Sequence, residues 1–343
     1  MRSVSRMSEA ILYDKLSGSR VRCRVCAHGC VIEPGARGIC RVRENVDGTL
    51  TSLVYGRLIA RDVDPIEKKP LYHFHPGTRA YSIATVGCNF TCLNCQNYYI
   101  SQYPRDHAGR IVGDRVPADV VIAEASTNGC KSIAFTYTEP TIAVEYVLDV
   151  MRLAREEGLC NVWVSNGYFT EETLGVIAPY LDAINVDLKG ISDRVYRSIA
   201  GANVRPVLDT IERVAEAGIW IEVTTLVIPG MNDTPDELRL TAEAVFGISP
   251  RIPWHVSRFF PAFRLADRSP TPIETLERAY RVGREVGLRY VYLGNVPGEG
   301  EDTRCGQCGE RVIERSGYRI RANRLEKGAC PACGAPVDGV WSP

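Results

Sequence analysis

Tyr81-Ser82-Ile83-Ala84-Thr85-Val86-Gly87-Cys88-Asn89-Phe90-Thr91-Cys92-Leu93-Asn94-Cys95-Gln96-Asn97 joins an apolar run to a cluster of three thiols. The first six residues read as a buried strand, and the cysteines follow directly as Cys-x3-Cys-x2-Cys. Three thiolates within eight residues can hold three corners of an iron–sulfur cube and leave one iron without a protein ligand. An open coordination position makes a metal reactive, whereas full protein ligation makes a structural or electron-storing site. The competing reading is a zinc knuckle or a chance grouping. Zinc asks for a fourth ligand, and nothing within ten residues on either side supplies one; the nearest histidines are His75 and His107.

Outward from that stretch, strand-like runs alternate with helical periodicity. Strands are expected at 81–86, 132–136, 161–165, 183–187, 220–226, 254–257 and 290–293. Helices are expected at 117–127, 140–157, 170–179, 206–217, 235–246 and 272–286, and proline opens five of these six at a position that suits a first helical turn. Such alternation implies an α/β fold with a parallel sheet, here expected to curl as a partial (β/α)6-7 TIM-like barrel. The polar residues then fall into place. Cys88, Cys92 and Cys95 follow the first strand, Glu139 the second, and Ser165-Asn166-Gly167 ends the third. Asp187-Leu188-Lys189 ends the fourth, Ile228-Pro229-Gly230 follows the fifth, and His255 lies in the sixth. Carboxyl ends of strands are where barrel enzymes keep their chemistry.

Small metal-binding segments flank this body, giving expected domains at 1–75, 76–300 and 301–343. Cys23, Cys26, Cys30 and Cys40 form a knuckle too short for its own core, and four thiolates there suit zinc or an iron–sulfur cluster equally. Cys305-x2-Cys308 and Cys330-x2-Cys333 read as a zinc ribbon, with Gly309 and Gly334 placed for the tight turns. Cys130 and Cys160 each precede a strand and read as ordinary packing residues.

The 343 residues are 45% hydrophobic and 24% charged, the composition of a globular chain rather than a disordered one. No apolar run reaches membrane-spanning length, and charged residues interrupt any signal-like stretch near the start, so a cytoplasmic location is expected. In that reducing setting clustered cysteines mean metal, not disulfides. Net charge is zero, with basic ends on an acidic middle; an ordinary solvated surface is the simpler reading of that distribution.

The triplet with its flanking Gly-Cys-Asn-Phe and Cys-Gln-Asn resembles the signature of radical S-adenosylmethionine (SAM) enzymes. The resemblance implies a [4Fe-4S] cluster on Cys88, Cys92 and Cys95, with the amino and carboxylate groups of SAM on the open iron. It also implies a reductive split of SAM to methionine and a 5′-deoxyadenosyl radical. Glu139-Pro140 stands where the family carries Gly-Gly-Glu, so Glu139 is a candidate acceptor for the SAM ammonium, or a cap for the following helix. Val164-Ser165-Asn166-Gly167 resembles the Asp-Thr-Asn-Gly of glycyl-radical activating enzymes, with the acid lost at Val164. Asp187 and Lys189 match an Asp-x-Lys of the same enzymes; period two aims both at one face, so they pair with each other or with ligand charges. Ile228 and Pro229 would offer an apolar shelf to adenine. His255, like Lys189, is a candidate catalytic residue by a matching Trp-His pair, or a hydrogen-bonded core histidine.

Further segments narrow the resemblance: Asp64-Pro65-Ile66-Glu67-Lys68-Lys69-Pro70-Leu71, His73-Phe74-x-Pro76-Gly77 and Ser82-Ile83-Ala84-Thr85 are similar to the radical SAM member of the AmmeMemoRadiSam system. That group is related to pyruvate formate-lyase activating enzyme. It implies Memo-like or AMMECR-like proteins as associates, a flavodoxin- or ferredoxin-type electron donor, and no particular substrate. The leading expectation is an oxidoreductase-type radical enzyme acting on an unknown substrate, or activating a partner by making a glycyl radical. Outside that class stand a ferredoxin-like electron carrier and a zinc-ribbon nucleic-acid binder. The latter is suggested by Arg311, Arg315, Arg319, Arg321 and Arg324, a run that interspersed glutamates fit better to a solvated face.

Overall fold

The computed structural model describes residues 8–296, 298 and 300–341. They form two compact units, the first comprising residues up to 63, 80–91 and 96–182, the second 64–79, 92–95 and those from 183 onward. The first unit carries strands β1 (Arg79–Ala84), β2 (Ser132–Phe135) and β3 (Cys160–Ser165). They pair in parallel, with Tyr81 beside Ile133 and Ala134 beside Val162. Helices α1 (Ala118–Thr127), α2 (Val144–Glu156) and α3 (Glu171–Ile177) intervene or follow. In the second unit β4 (Ala183–Asp187), β5 (Trp220–Val227), β6 (Trp254–Arg258) and β7 (Val291–Gly294) are again all parallel neighbours. The helices there are α4 (Asp193–Ala200), α5 (Arg205–Glu216), α6 (Pro235–Ile248) and α7 (Ile273–Val286).

The parallel α/β architecture read from the alternation is therefore the architecture of the protein. Strand residues are buried on both faces, as helices packed over a parallel sheet require. Helix starts follow local chemistry. Thr170, Ser192 and Thr234 each accept the backbone N–H three residues on, and acidic residues fill the turns that follow. The helix expected over 140–157 divides instead. A tight turn over Pro140–Ala143 precedes α2, because Glu139 accepts the amide of Thr141 and closes a shorter first loop.

The chain from 301 onward adds a three-stranded antiparallel sheet, β8 (Thr303–Arg304), β9 (Arg311–Ser316) and β10 (Arg319–Asn323). Its small core of Val312, Ile313 and Val337 packs with Tyr72, Tyr290 and Tyr292. Arg315, read from sequence as one of a basic run, is buried here. Its guanidinium donates to the carbonyls of Tyr72 and Glu301 and lies 4.4 Å from the centre of the Tyr72 ring. Arg311 and Arg324 pair with Glu314. No helix of the described residues is long and apolar enough to cross a membrane.

A polar chain runs through this core. Arg315 donates to Thr303 Oγ1 at 2.7 Å, and Thr303 and Tyr292 hydroxyls lie 2.8 Å apart. Tyr292 in turn contacts His73 Nε2, and His73 Nδ1 lies 2.6 Å from the Asp338 carbonyl. A carbonyl only accepts, so Nδ1 carries the proton and Nε2 accepts from Tyr292. Burial pushes the His73 pKa down from its ordinary value to about 4. The unfolded chain therefore binds the extra proton between about pH 6.5 and 4, and stability falls as pH drops through that window. Wild type should lose about 2 kcal/mol more than His73→Gln between pH 7 and pH 5 in urea unfolding. Equal losses in the two proteins would show that His73 is not held neutral.

Candidate functional site

In the first unit the ends of β1, β2 and β3 converge on one hydrogen-bonded network. Glu139, 2% exposed, takes four donors: Thr141 N at 3.1 Å, Thr141 Oγ1 at 2.5 Å, Ser165 Oγ at 2.8 Å and Asn166 N at 2.8 Å. Burial raises its pKa, and these donors pull against that rise. Ser165 and Asn166 are fixed in turn by Gly167 and Tyr168 amides. Asn166 Nδ2 then reaches Asn89 Oδ1 at 2.7 Å, next in the chain to Cys88. Glu139 is thus a stitch between the ends of β2 and β3, and through Asn166 it braces the first cysteine.

Cys88 is held from several sides. The Phe90 amide donates to its sulfur at 3.4 Å, and Arg105 grips its carbonyl at 2.9 Å as well as the carbonyls of Phe90 and Ile39. Asn97 donates to the carbonyl of Tyr137, which adopts φ 64°, a left-handed conformation costly for a tyrosine. The sequence reading did not single out Arg105, and it carried Asn89 and Asn97 only as flanks of the cysteines with no partner assigned. Their partners lie up to 77 residues away, which no local pattern reveals.

Cys92 and Cys95 belong to the second unit, with Lys189 and Asp187. Lys189 Nζ lies 2.9 Å from Asp187 Oδ2, so the pair expected from alternation is formed at the end of β4. Burial pushes the Cys92 thiol up to about 11, with the Lys189 ammonium opposing the rise. Burial would lower Lys189, but the Asp187 carboxylate, Cys92 and Tyr196 reverse that and hold it protonated. Leu93 is anchored to Ile199 and Arg264 through its backbone and packs beside Ile228, Phe259 and Leu265. Ile228 is buried in that cluster, and Asn232 bonds its amide while also donating to the carbonyls of Lys189 and Leu226. Pro229 follows in an open turn whose carbonyl contacts Arg268.

His255 sits apart from the strand ends. It is the second residue of β6, in register with Thr224 and Tyr292, and buried. Its Nε2 lies 2.6 Å from Glu222, and its ring packs on Tyr72 and Tyr292. Glu222 also accepts the amides of Tyr72 and His73. Burial would raise its pKa, but His255, His73 and the Trp220 indole hold it down. The core-histidine arrangement is the one present.

Cys305, Cys308, Cys330 and Cys333 bring their sulfurs within 4.8 Å of one another. Gly309 and Gly334 adopt φ of 77° and 74°, and their amides close the turns onto Cys305 and Cys330 carbonyls, as the sequence required. Burial works against the Cys305 thiolate, yet the amides of Cys308 and Gln307 bring its pKa down to about 7. The other quartet, Cys23, Cys26, Cys30 and Cys40, lines one pocket with Arg43 and Asn89.

The family model described as the Radical SAM superfamily matches residues 82–244, which include the three thiols after the first strand of the parallel α/β body. The chain belongs to the same family as uncharacterized protein MJ0808 of Methanocaldococcus jannaschii, with 43% identity over 97% of this chain and all of that one. It also matches the pyruvate formate-lyase-activating enzyme of Clostridium pasteurianum at 22% identity, over 34% of this chain and 48% of that enzyme. Among solved structures, SuiB of Streptococcus suis bound to S-adenosylmethionine shares the fold at TM-score 0.50 and 12% identity, covering 67% of this chain and 53% of SuiB.

Proposed function

We propose that this chain is an oxidoreductase-type radical enzyme that cleaves SAM reductively and abstracts hydrogen from a substrate held at the strand ends. The observation that carries the reading is Cys88-x3-Cys92-x2-Cys95 at the carboxyl end of β1, in a chain with a radical SAM domain. The donor set fits the cluster. An amide donor on Cys88 sulfur and an ammonium beside Cys92 both favour thiolate, which is the liganding form. A [4Fe-4S] cluster bound there supplies the one electron and the open iron that SAM cleavage needs.

The chain's own residues do the rest. Lys189 presents a charge that can hold the methionine carboxylate while Asp187, with a side chain 39% exposed, stays its counter-ion. Glu139 keeps Ser165 and Asn166 in place at the end of β3, because its carboxylate already takes four donors. Pro229 and the edge of the Ile228 cluster give the adenine an apolar surface. His255, tied to Glu222, acts through packing and not by moving protons to substrate.

The C-terminal thiols suit zinc. Cys305 to Cys333 and Cys308 to Cys330 are each 3.7 Å apart. A tetrahedron of zinc–sulfur bonds of about 2.3 Å has an edge of about 3.8 Å. Similarity to the AmmeMemoRadiSam group supports a protein substrate or associate of the Memo-like or AMMECR-like kind. A flavodoxin- or ferredoxin-type protein would supply the electron, in a cytoplasmic setting. Activation of a glycyl-radical partner is the second reading, carried by the match to an activating enzyme.

Anaerobic reconstitution with iron and sulfide, followed by dithionite and SAM, should yield 5′-deoxyadenosine by mass spectrometry, reduced to background in Cys92→Ala. Iron that binds without any change in its spectrum on adding SAM would leave only an electron carrier. A glycyl-radical signal on adding a candidate partner would select the second reading.

A further inference from the structure

The N-terminal quartet and the C-terminal quartet differ in kind. Among the described residues, Cys305, Cys308, Cys330 and Cys333 form the one set of three or more metal-ligating side chains drawn within 4.8 Å of one another, the spacing a single ion imposes. Cys23, Cys26, Cys30 and Cys40 instead line one pocket together and are not drawn so close. A four-iron cube puts iron and sulfide between its thiolates and so holds them farther apart than one metal ion does.

The walls of that pocket suit an anionic cluster. Buried Val25, Ile32 and Ile142 line it, and apolar walls limit the water that would hydrolyse iron–sulfur bonds. Arg43, 2% exposed, lines it too. Two of its guanidinium nitrogens are used by Glu145, but Nε has no partner among the described residues. A buried N–H without an acceptor is destabilising, and a cluster sulfur beside it would supply the missing acceptor. Four thiolates on a cube with two positive charges carry net charge −2, which a cation in the wall offsets. His28, also in the wall, contacts the Asn89 carbonyl at 2.9 Å, and Asn89 precedes Phe90 and follows Cys88.

We propose that Cys23, Cys26, Cys30 and Cys40 bind a second [4Fe-4S] cluster, fully ligated by protein and partnered by Arg43, in a pocket whose wall includes Asn89, the residue after Cys88. All four irons being occupied, this cluster binds no SAM. It stands independently of the SAM-cleaving site.

After anaerobic reconstitution, metal and sulfide analysis should give about eight iron and one zinc per chain, falling to about four iron with zinc unchanged in Cys26→Ser/Cys30→Ser. A variant with Cys88→Ala, Cys92→Ala and Cys95→Ala leaves the quartet intact and decides the matter even if the first variant does not fold. It should keep about four iron and a dithionite-reduced paramagnetic signal that SAM does not alter. Loss of all iron from the triple variant overturns the proposal, whether it holds two zinc or one. If wild type makes no 5′-deoxyadenosine while the triple variant keeps its iron, only the SAM-cleaving reading falls.

Discussion

Glu145→Gln is expected to destabilise the protein by about 3–5 kcal/mol, because it leaves a guanidinium buried without its counter-charge. Arg43 and Glu145 side chains are 2% and 5% exposed and meet in two parallel contacts of 2.6 and 3.1 Å. Glu145 also accepts the Ile11 amide, and Arg43 also donates to the carbonyls of Ile11 and Ile142. Burial alone would lower the Arg43 pKa, but the Glu145 carboxylate and the nearby cysteines raise it, so the arginine does not escape by losing its proton. Replacing both partners with apolar residues of similar volume should cost much less, since the desolvation of both charges disappears with them. Arg239 and Glu285 meet at 3.0 Å with side chains 47% and 60% exposed, and Glu285→Gln should change stability by less than about 1 kcal/mol. Urea unfolding of the metal-free proteins checks all three. A cost for Glu145→Gln as small as for Glu285→Gln would mean that water reaches the pair.

Local chemistry made much of this legible in the sequence. The cysteine triplet needs no long-range contact to be recognised, and the parallel strands announce themselves through apolar runs separated by proline-opened helices. Helix α4 escaped because eight residues give little periodicity, although Ser192 ahead of it and Gly201 at φ 70° behind it are its start and stop signals. Illegible features share one cause: their partners are distant in the chain. Glu222 is a carboxylate in mid-strand whose acceptance of His255, Tyr72 and His73 depends on three separate segments. Arg315 reads as surface charge until the fold lays it over Tyr72. Asn89 looks like a flanking residue of the triplet until Asn166 reaches it from β3. In each case a polar side chain in an otherwise ordinary context is committed to burial, and burial is a property of the assembled sheet.

Removing the C-terminal metal should unfold the segment that carries it, not merely loosen it. Cys305 and Cys330 are themselves part of the buried core there, beside Val312, Ile313 and Val337, with Ile320, Leu325, Ala335 and Trp341 only partly buried against them. So small an apolar set cannot order a three-stranded sheet, and zinc bound by four thiolates contributes about 10–16 kcal/mol to folding in comparable modules. Arg315 is the reporter. It is 7% exposed and held by Thr303, Glu301 and Tyr72, so trypsin should spare it in the intact protein. After treatment with a strong chelator, or in Cys330→Ser, cleavage at Arg315 should become rapid, and the proposed zinc should be lost with it. Chelation that removes the metal and leaves Arg315 protected would show that the apolar contacts suffice. The consequence reaches inward, since Tyr72 packs on His255 with ring centres 4.7 Å apart and bonds Glu222 through its amide. Melting the metal segment therefore withdraws Arg315 from Tyr72 and loosens the support of the buried pair in β5 and β6. The four-thiol site proposed to hold zinc then governs how firmly the second unit's sheet is held.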